Sequence, residues 1–220
     1  MQKETYTLIA DFSIRASLAF LSHQEILRMF QRALIRAGVP LVYSKGFNPH
    51  PYLSIPFPRS VGTCSMGDRL CVTVEYSEDP PLDVLSDAVS KQLPADCHVH
   101  NIQCVPGKRL VSPQSARYRL SLKEGVQESL ADHLVRCQEQ VQKGDAIEIQ
   151  RYWPKKRRYR TVDIAVYLQS LDVGEAQIEV VCGVSQVGTV RVDELMKWLS
   201  VSTEDLRSPV CRTDICWIEN

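Results

Sequence analysis

The feature that most constrains the fold is a pattern of strands and helices that occurs twice along the chain. Hydrophobic periodicity predicts strand, helix, two strands, helix and strand over residues 1–106. A similar order, with two or three central strands, is predicted over residues 114–220. Prolines and a glycine between the two runs are typical of a linker. We therefore predict an α+β fold of tandem ferredoxin-like (βαββαβ) sandwiches with antiparallel sheets, one in each domain.

The best-defined predicted element is the first helix. Ser22 and Glu25 have the spacing of a capping box, in which each side chain bonds the backbone N–H of the other residue. Apolar residues over 26–37 recur at helical spacing and predict a buried face. Gly38 followed by Pro40 predicts the end of the helix.

The remaining elements are predicted from shorter patterns. We expect a short strand over 41–43 and then a turn-rich stretch over 44–62. In the second domain the spacing predicts a helix over 126–141. Strands over 147–152 and 161–168 are expected on either side of a basic turn.

Charge is unevenly distributed along a chain whose formal net charge is zero, with 26 Lys and Arg against 26 Asp and Glu. Zero net charge excludes a uniformly basic nucleic-acid binder but not a local basic surface. Residues 1–59 carry seven basic and three acidic side chains, a net charge of +4. Residues 151–160 carry six basic side chains and no acidic one.

Targeting signals and cysteine spacing indicate the compartment. No apolar run approaches the ~20 residues that a membrane helix needs, and no apolar signal core follows the first residues. We therefore expect a cytoplasmic protein with no membrane partner. The eight cysteines have no C-x2-C pair of the zinc-ribbon type, so we expect reduced, mostly buried thiols, no metal site and no cofactor.

Two segments of the first domain carry candidate ligand-binding residues. Three arginines four residues apart form a stripe on the predicted helix that could face phosphates: Arg28, Arg32 and Arg36. The turn after it combines aromatic, amide, imidazole and hydroxyl groups beyond what a turn requires: Tyr43, Ser44, Lys45, Gly46, Phe47, Asn48 and His50.

Two further candidates complete the predicted site. His23 lies at the first helical position, where the helix dipole favours the neutral imidazole that could act as a base or contact a ligand. In the second domain, the basic turn places Tyr152, Trp153 and Tyr159 among cations that could hold RNA phosphates: Lys155, Lys156, Arg157, Arg158 and Arg160.

Two motifs resemble a known family. Residues 22–38 read S-H-x-x-I-x-R-x-F-x-R-A-L-x-R-A-G, and residues 43–51 read Y-S-K-G-F-N-P-H-P. Together they resemble the radical-SAM-linked proteins, a family of unknown function. A later segment, Gly183 to Leu195, resembles that family's G-x-S-x-R-P-x-E, with two extra residues before the arginine and Val192 in place of proline. The resemblance implies a radical S-adenosylmethionine protein as partner, because members are encoded beside or fused to such proteins with a cobalamin-binding region.

Three functions are compatible with these residues. The first is a non-catalytic accessory protein that binds RNA and presents it to a radical S-adenosylmethionine enzyme. The second is a metal-independent endoribonuclease, similar in layout to the CRISPR-associated enzymes that process repeat RNA. In it, His23 or His50 would shuttle a proton while Lys45 or Arg28 stabilises phosphorane charge. The third is a protein–protein adaptor that docks through the loop at 44–62.

Overall fold

The computed structural model describes residues 4–78 and 81–219, apart from the side chain of Lys155. The chain divides into two compact units. Unit 1 runs to Pro113 and also takes in the chain from Trp217 onward, and unit 2 is Gln114–Cys216. The described residues form a mixed α+β structure with four α-helices and mostly antiparallel strand pairing.

Unit 1 contains four strands and two α-helices among its described residues. In chain order these are β1 (Glu4–Ile14), α1 (His23–Arg36), β2 (Leu53–Ser54), β3 (Thr63–Tyr76), α2 (Leu82–Ser90) and β4 (Cys97–Pro106). The strands lie in the order β4-β1-β3-β2, and each adjacent pair is antiparallel. The first and last predicted strands, both predicted helices and a long central strand are therefore present in this half.

Strand alternation gives the sheet of unit 1 two different faces. On one face, Leu8 and Phe12 of β1 pack against Phe30 of α1, and the rings of Phe12 and Phe30 meet edge to face with centroids 4.6 Å apart. Fully burying such a side chain stabilises the fold by roughly 1.5–3 kcal/mol. The opposite face carries Thr7 of β1 beside its cross-strand neighbour Thr73 of β3.

The ends of α1 are those predicted. Ser22 Oγ accepts from the Glu25 N–H, and Glu25 Oε2 accepts from the Ser22 N–H at 2.8 Å, which confirms the capping box. The Ser22 hydroxyl, which donates to Glu25 Oε2 at 2.7 Å, and the Ser22 N–H together lower the pKa of the Glu25 carboxyl. Gly38 follows the helix with a φ of 74°, the left-handed conformation that favours glycine.

The strand predicted over 41–43 is wrong. Leu41 and Tyr43 form only isolated bridges, with Val74 and Pro51 respectively. The physical reason is that prolines at positions 40, 49 and 51 remove backbone donors, so a continuous ladder cannot form. Single hydrogen bonds still tie this segment to β3, including Val42 N–H to Thr73 O at 3.0 Å.

Unit 2 is built from a second set of strands and helices. They are β5 (Val111–Ser121), α3 (Val126–Lys143), β6 (Glu148–Trp153), β7 (Arg158–Asp163), β8 (Leu168–Val173), β9 (Gln177–Gly183), α4 (Val192–Trp198) and β10 (Val210–Glu219). The sheet order within the unit is β10-β5-β9-β8, and β6 with β7 forms a separate two-stranded hairpin. Leu120, Leu134, Ile178 and Leu195 are among its fully buried core residues.

Two predicted boundaries differ from the structure. The linker predicted over 106–113 is shorter, because β5 already begins at Val111. The single strand predicted over 161–168 is two strands, β7 and β8. Asp163 Oδ1 accepts from the N–H groups of Ile147 and Ala165, both at 2.9 Å, and this turns the chain into a 3-10 turn over Ala165–Tyr167.

No helix in residues 4–78 and 81–219 has both the length and the apolar character needed to cross a membrane.

Candidate functional site

A groove of about 650 Å³ lies within unit 1. Its floor includes Thr7 and Thr73, on the sheet face opposite α1, and its edge is formed by the chain around His50 and Tyr52. Lys108 and Arg109, from the connection after β4, form another part of its wall. The groove thus brings imidazole, phenol, hydroxyl and cationic groups to one place.

A buried threonine holds the cationic wall in place. Thr7 Oγ1 donates to the Gly107 carbonyl at 2.7 Å and accepts from the Arg109 N–H at 3.1 Å. The Gly107 N–H in turn donates to the Thr5 carbonyl at 2.8 Å. Because Thr7 is only 4% exposed, these bonds are shielded from water. The connection that carries Lys108 and Arg109 is therefore fixed against β1.

The predicted loop closes on itself through Ser44 and His50. The Ser44 N–H donates to the His50 carbonyl at 2.8 Å, and the His50 N–H donates to Ser44 Oγ at 3.1 Å. The Nδ1 atom of His50 lies 3.0 Å from the same hydroxyl. These contacts orient the imidazole, which lines the groove.

The other predicted loop residues do not line the groove, and most of them are exposed to solvent. Phe47 is fully exposed, Gly46 has a φ of 141°, and Tyr43, Lys45 and Asn48 are exposed. Of the predicted loop residues, the structure therefore places only His50 in the groove.

The arginine stripe lies on the outer surface of α1. Arg28, Arg32 and Arg36 are all exposed, whereas Ile26 and Phe30 of the same helix are buried in the core. Since α1 packs on the sheet face opposite Thr7 and Thr73, the stripe and the groove occupy different faces of unit 1.

His23 lines a different and much smaller recess. Its neighbours there include Arg59 and the buried carboxylate of Asp68, which accepts a hydrogen bond from Ser65 Oγ. The recess has a volume of about 10 Å³, room for about one water molecule. His23 and His50 therefore do not share a cavity.

Arg59 has a structural role that its sequence context did not indicate. Its guanidinium donates to the carbonyls of Ala19 at 2.7 Å and Ser60 at 3.3 Å, and to that of Thr63. Further bonds reach the carbonyls of Leu18 and Leu21. The side chain thus joins the turn before α1 to the start of β3.

Replacing Arg59 with methionine is expected to lower the free energy of unfolding by about 2 kcal/mol, because several carbonyls lose a charged donor. Urea denaturation followed by circular dichroism measures the change. The matched control is Arg36→Met on the exposed end of α1, for which a change below about 0.5 kcal/mol is expected. Equal losses in both variants would refute the structural role of Arg59.

The β6–β7 hairpin of unit 2 presents an aromatic pair. Tyr152 and Tyr159 are cross-strand partners, their ring centroids are 5.3 Å apart, and the side chains are 43% and 66% exposed. Trp153 points to the other face, where Lys156 Nζ and the Arg160 guanidinium lie 4.6 and 5.0 Å from its ring centroid.

Most of the cations around the hairpin tip have described side chains, and these are exposed. Lys156, Arg157, Arg158 and Arg160 are exposed, and none forms a salt bridge with another described residue. Lys155 belongs to the same predicted set, but its side chain lies outside the described part of the structure. The structure thus brings the described cations together around the hairpin tip.

One basic residue of the 151–160 window is not available for a ligand. Arg151 is buried, and its Nε and Nη2 atoms donate to the two carboxylate oxygens of Glu194, both at 2.6 Å. Nη2 also donates to the Thr189 carbonyl at 3.0 Å. The hydrogen bonds to Glu194 raise the pKa of the Arg151 guanidinium. Arg151 therefore anchors the hairpin to α4, and the basic window presents fewer charges than its sequence indicates.

The cysteines do not form a metal cluster in residues 4–78 and 81–219. Cys97, Cys137 and Cys182 are buried, whereas Cys216 is exposed. Burial raises the pKa of the Cys137 thiol to about 11 and that of the Cys97 and Cys182 thiols to about 12. Thiolate ligands and nucleophiles are therefore disfavoured at these buried positions.

Brief treatment of the native protein with iodoacetamide at pH 7.5 is expected to label Cys216 first. A pKa raised from about 9 to about 11 lowers the thiolate fraction on the order of 100-fold. Peptide mass spectrometry after quenching measures which thiols have reacted, and the urea-denatured protein is the control in which all eight should react. Early labelling of Cys97 or Cys182 would contradict the burial seen here.

Sequence reasoning missed the main contributors to the groove. Tyr52, Lys108, Arg109 and Thr7 were not among the predicted site residues, although the adjacent cations in the predicted linker were a visible signal. Thr7 carried no such signal, because only strand pairing shows that it meets Gly107 and Arg109.

Several solved structures are similar to the chain at low sequence identity. Among solved structures, the chain is similar to an unknown protein from Galdieria sulphuraria, with 14% identity, a TM-score of 0.25 and coverage of 100% of this chain and 99% of that one. It is also similar to the regulatory subunit of aspartate kinase from Thermus thermophilus (10% identity, TM-score 0.25, coverage 82% and 83%) and from Thermus flavus (9% identity, TM-score 0.24, coverage 90% and 92%).

No curated protein matches the chain. Residues 8–192, which include the groove-lining His50 and the β6–β7 hairpin, match a family described as "Uncharacterized protein conserved in bacteria (DUF2344)". Because the match spans most of the sequence, the chain belongs to the DUF2344 family.

Proposed function

We propose that this protein is a non-catalytic accessory protein that binds RNA with unpaired bases and presents it to a radical S-adenosylmethionine enzyme in the cytoplasm. The observation that carries the RNA-binding part is the β6–β7 hairpin, which presents an exposed tyrosine pair and exposed cations that form no salt bridge with another described residue. Non-sequence-specific binding of single strands uses this combination, because cations hold the phosphates while aromatic faces stack on bases.

The architecture of each unit supports a ferredoxin-like sandwich as part of this proposal. When the sheet strands of a unit are numbered in chain order, β4-β1-β3-β2 and β10-β5-β9-β8 both follow the order 4-1-3-2. In both units a helix follows the first strand and another precedes the last. The β6–β7 hairpin is then an insertion between the first helix and the second sheet strand of unit 2.

The hairpin is suited to binding because its conformation is already fixed. Two bonds of 2.6 Å from Arg151 to Glu194 hold its base on α4, and Trp153 supports two of its cations. A preorganised site loses less conformational entropy when it binds than a mobile loop does. An RNA phosphate at Arg157, at the hairpin tip, would lie next to bases stacked on Tyr152 and Tyr159, whereas Arg158 is paired with Trp153 on the other face.

The radical S-adenosylmethionine partner and the cytoplasmic location are supported by the sequence. The resemblance over residues 22–62 motivates the partner, and co-purification of the affinity-tagged protein with a radical S-adenosylmethionine protein encoded beside it tests the link. Buried, protonated thiols such as Cys97 and Cys182 suit a compartment that keeps thiols reduced.

The RNA-binding proposal is tested with a fluorescein-labelled, mixed-sequence 12-nucleotide RNA. We expect anisotropy to show binding at 50 mM salt that weakens at least tenfold at 200 mM, because several phosphate contacts release counterions. The RNA should remain intact on a denaturing gel. A duplex of the same sequence should bind more weakly, since paired bases are not available for stacking.

RNA cleavage and co-purification distinguish this proposal from the other two functions. Cleavage that is lost in His23→Ala or His50→Ala would replace the proposal with a ribonuclease. Absence of RNA binding at 50 mM salt, together with co-purification of a radical S-adenosylmethionine protein, would replace it with a protein–protein adaptor.

A further inference from the structure

We propose that the groove of unit 1 binds one unpaired nucleotide, a planar base that carries an anionic phosphate, either within RNA or as a free mononucleotide. The RNA form of this inference rests on the proposed function, whereas the mononucleotide form stands independently of it. The groove belongs to a different unit from the β6–β7 hairpin, and most of its contributors were not predicted from the sequence.

The size and lining of the groove fit a small organic ligand. Its volume of about 650 Å³ falls in the range of about 300–1,000 Å³ that small-molecule sites occupy. Apolar side chains such as Val42, Leu53 and Val111 line it together with a few polar groups. Such sites bury the apolar body of a ligand and use a few polar groups for orientation.

The charge of the groove selects an anion. Lys108 and Arg109 line it, and the described lining contains no aspartate or glutamate. Neither cation forms a salt bridge with another described residue. Both are exposed, so their donors remain available to phosphate oxygens.

The position of these cations is set before a ligand arrives. Thr7 Oγ1 bonds both the Gly107 carbonyl and the Arg109 N–H, at 2.7 and 3.1 Å, on either side of Lys108. Because this connection is tied to β1, a phosphate would meet two cations without first ordering the chain.

Aromatic and hydroxyl groups suit the rest of a nucleotide. Tyr52 lines the groove and is 49% exposed, while its backbone is held by bonds of 2.9 Å to both Val42 and Thr73. Its ring offers a base a stacking surface. The hydroxyls of Thr73 and Ser54 are within the lining and can bond a base edge or a ribose.

His50 adds an oriented imidazole to the same wall. Its Nδ1 lies 3.0 Å from Ser44 Oγ, and its Nε2 makes no hydrogen bond with a described residue. The free ring nitrogen can therefore bond a ligand oxygen or nitrogen while the Ser44 contact holds the ring.

The test is a titration of isotopically labelled, full-length protein with AMP, GMP, CMP and UMP in turn, followed by amide NMR shifts. At least one should shift amides around Tyr52, His50 and Arg109 and bind with a measurable Kd. Lys108→Gln and Arg109→Gln together should weaken that binding at least tenfold. The matched control is Lys91→Gln, at the exposed C-terminal cap of α2, which should leave the Kd unchanged.

Two variants of Tyr52 test the contribution of its ring to nucleotide binding. Tyr52→Leu should weaken binding about tenfold, whereas Tyr52→Phe should retain it, because the ring and not the hydroxyl makes the stack. Unchanged binding in Tyr52→Leu, or in the Lys108 and Arg109 double variant, would overturn the inference. Proton spectra of each variant confirm that it is folded.

A second arm uses the 12-nucleotide RNA and ultraviolet cross-linking with peptide mass spectrometry. A cross-link at Tyr52 or His50 supports the groove as the site of an RNA nucleotide, even if free mononucleotides bind too weakly to be measured. RNA that binds but cross-links only in the hairpin overturns the groove inference and leaves the proposed function standing. Mononucleotide binding at the groove without RNA binding would support the groove inference and overturn the RNA-binding part of the proposed function.

Discussion

Replacing Glu194 with alanine is expected to lower the free energy of unfolding of unit 2 by about 3–5 kcal/mol. The carboxylate is 8% exposed and is the partner of both guanidinium bonds of Arg151. Its removal leaves a buried cation without its anion, the costliest outcome for a buried pair. The Arg191 N–H at the start of α4 also loses its acceptor, which lies 2.9 Å away. Urea denaturation followed by tryptophan fluorescence measures the loss.

The matched control is Glu179→Ala in the same unit. Glu179 also faces two arginines, Arg117 at 3.3 Å and Arg119 at 2.8 Å, but those side chains are more than 40% exposed. A loss of only about 0–1 kcal/mol is therefore expected. The double variant Arg151→Met/Glu194→Leu should recover much of the stability lost in Glu194→Ala, because it removes both buried charges. A Glu194→Ala loss no greater than that of Glu179→Ala would contradict the buried role of the pair.

Replacing the hairpin cations Lys156, Arg157, Arg158 and Arg160 with glutamine should weaken binding of the 12-nucleotide RNA on the order of 100-fold at 50 mM salt. The physical reason is loss of counterion release, which contributes a slope of about 0.7 per phosphate contact on single strands. If all these cations contact phosphates, the salt slope should fall by about 3. Fluorescence anisotropy between 50 and 300 mM salt measures both quantities.

Two controls separate local contacts from net charge. Arg28→Gln/Arg32→Gln/Arg36→Gln removes a similar charge from α1 and should have the smaller effect on RNA affinity. Tyr152→Ala/Tyr159→Ala should weaken binding about tenfold or more without altering the salt slope, because stacking releases no counterions. An equal loss in the α1 and hairpin charge variants would show that only the total charge of the protein matters, contrary to the hairpin proposal.

Local patterns were enough for the helix ends and for much of the element order. The Ser22–Glu25 capping box involves residues three apart, so its bonds depend on one turn of chain and are visible in the sequence. Gly38 ends α1 for an equally local reason. The strand break at Asp163 was missed because its carboxylate accepts from Ile147 as well as from Ala165, and Ile147 lies just before β6, far from Asp163 along the chain.

Candidate residues were predicted with mixed success for the same reason. His50 stands out in the sequence because its loop contains more functional groups than a turn needs, and it does line the groove. Lys108 and Arg109 were placed in a linker, since nothing near them in sequence shows that Thr7, about a hundred positions earlier, holds that connection. Arg151 looked like one more hairpin cation until its contact with Glu194 was known.

The sequence by itself determined most of the elements, where charge is concentrated and which loop is chemically unusual. These properties follow from propensity, periodicity and composition over short stretches of chain. Only the tertiary structure decided which cations remain available: Arg151 and Arg59 serve the fold, whereas Lys108, Arg109 and the hairpin cations face solvent. The physical reason is that the availability of a charge depends on partners brought close by strand pairing and helix packing, and those partners lie far away along the chain.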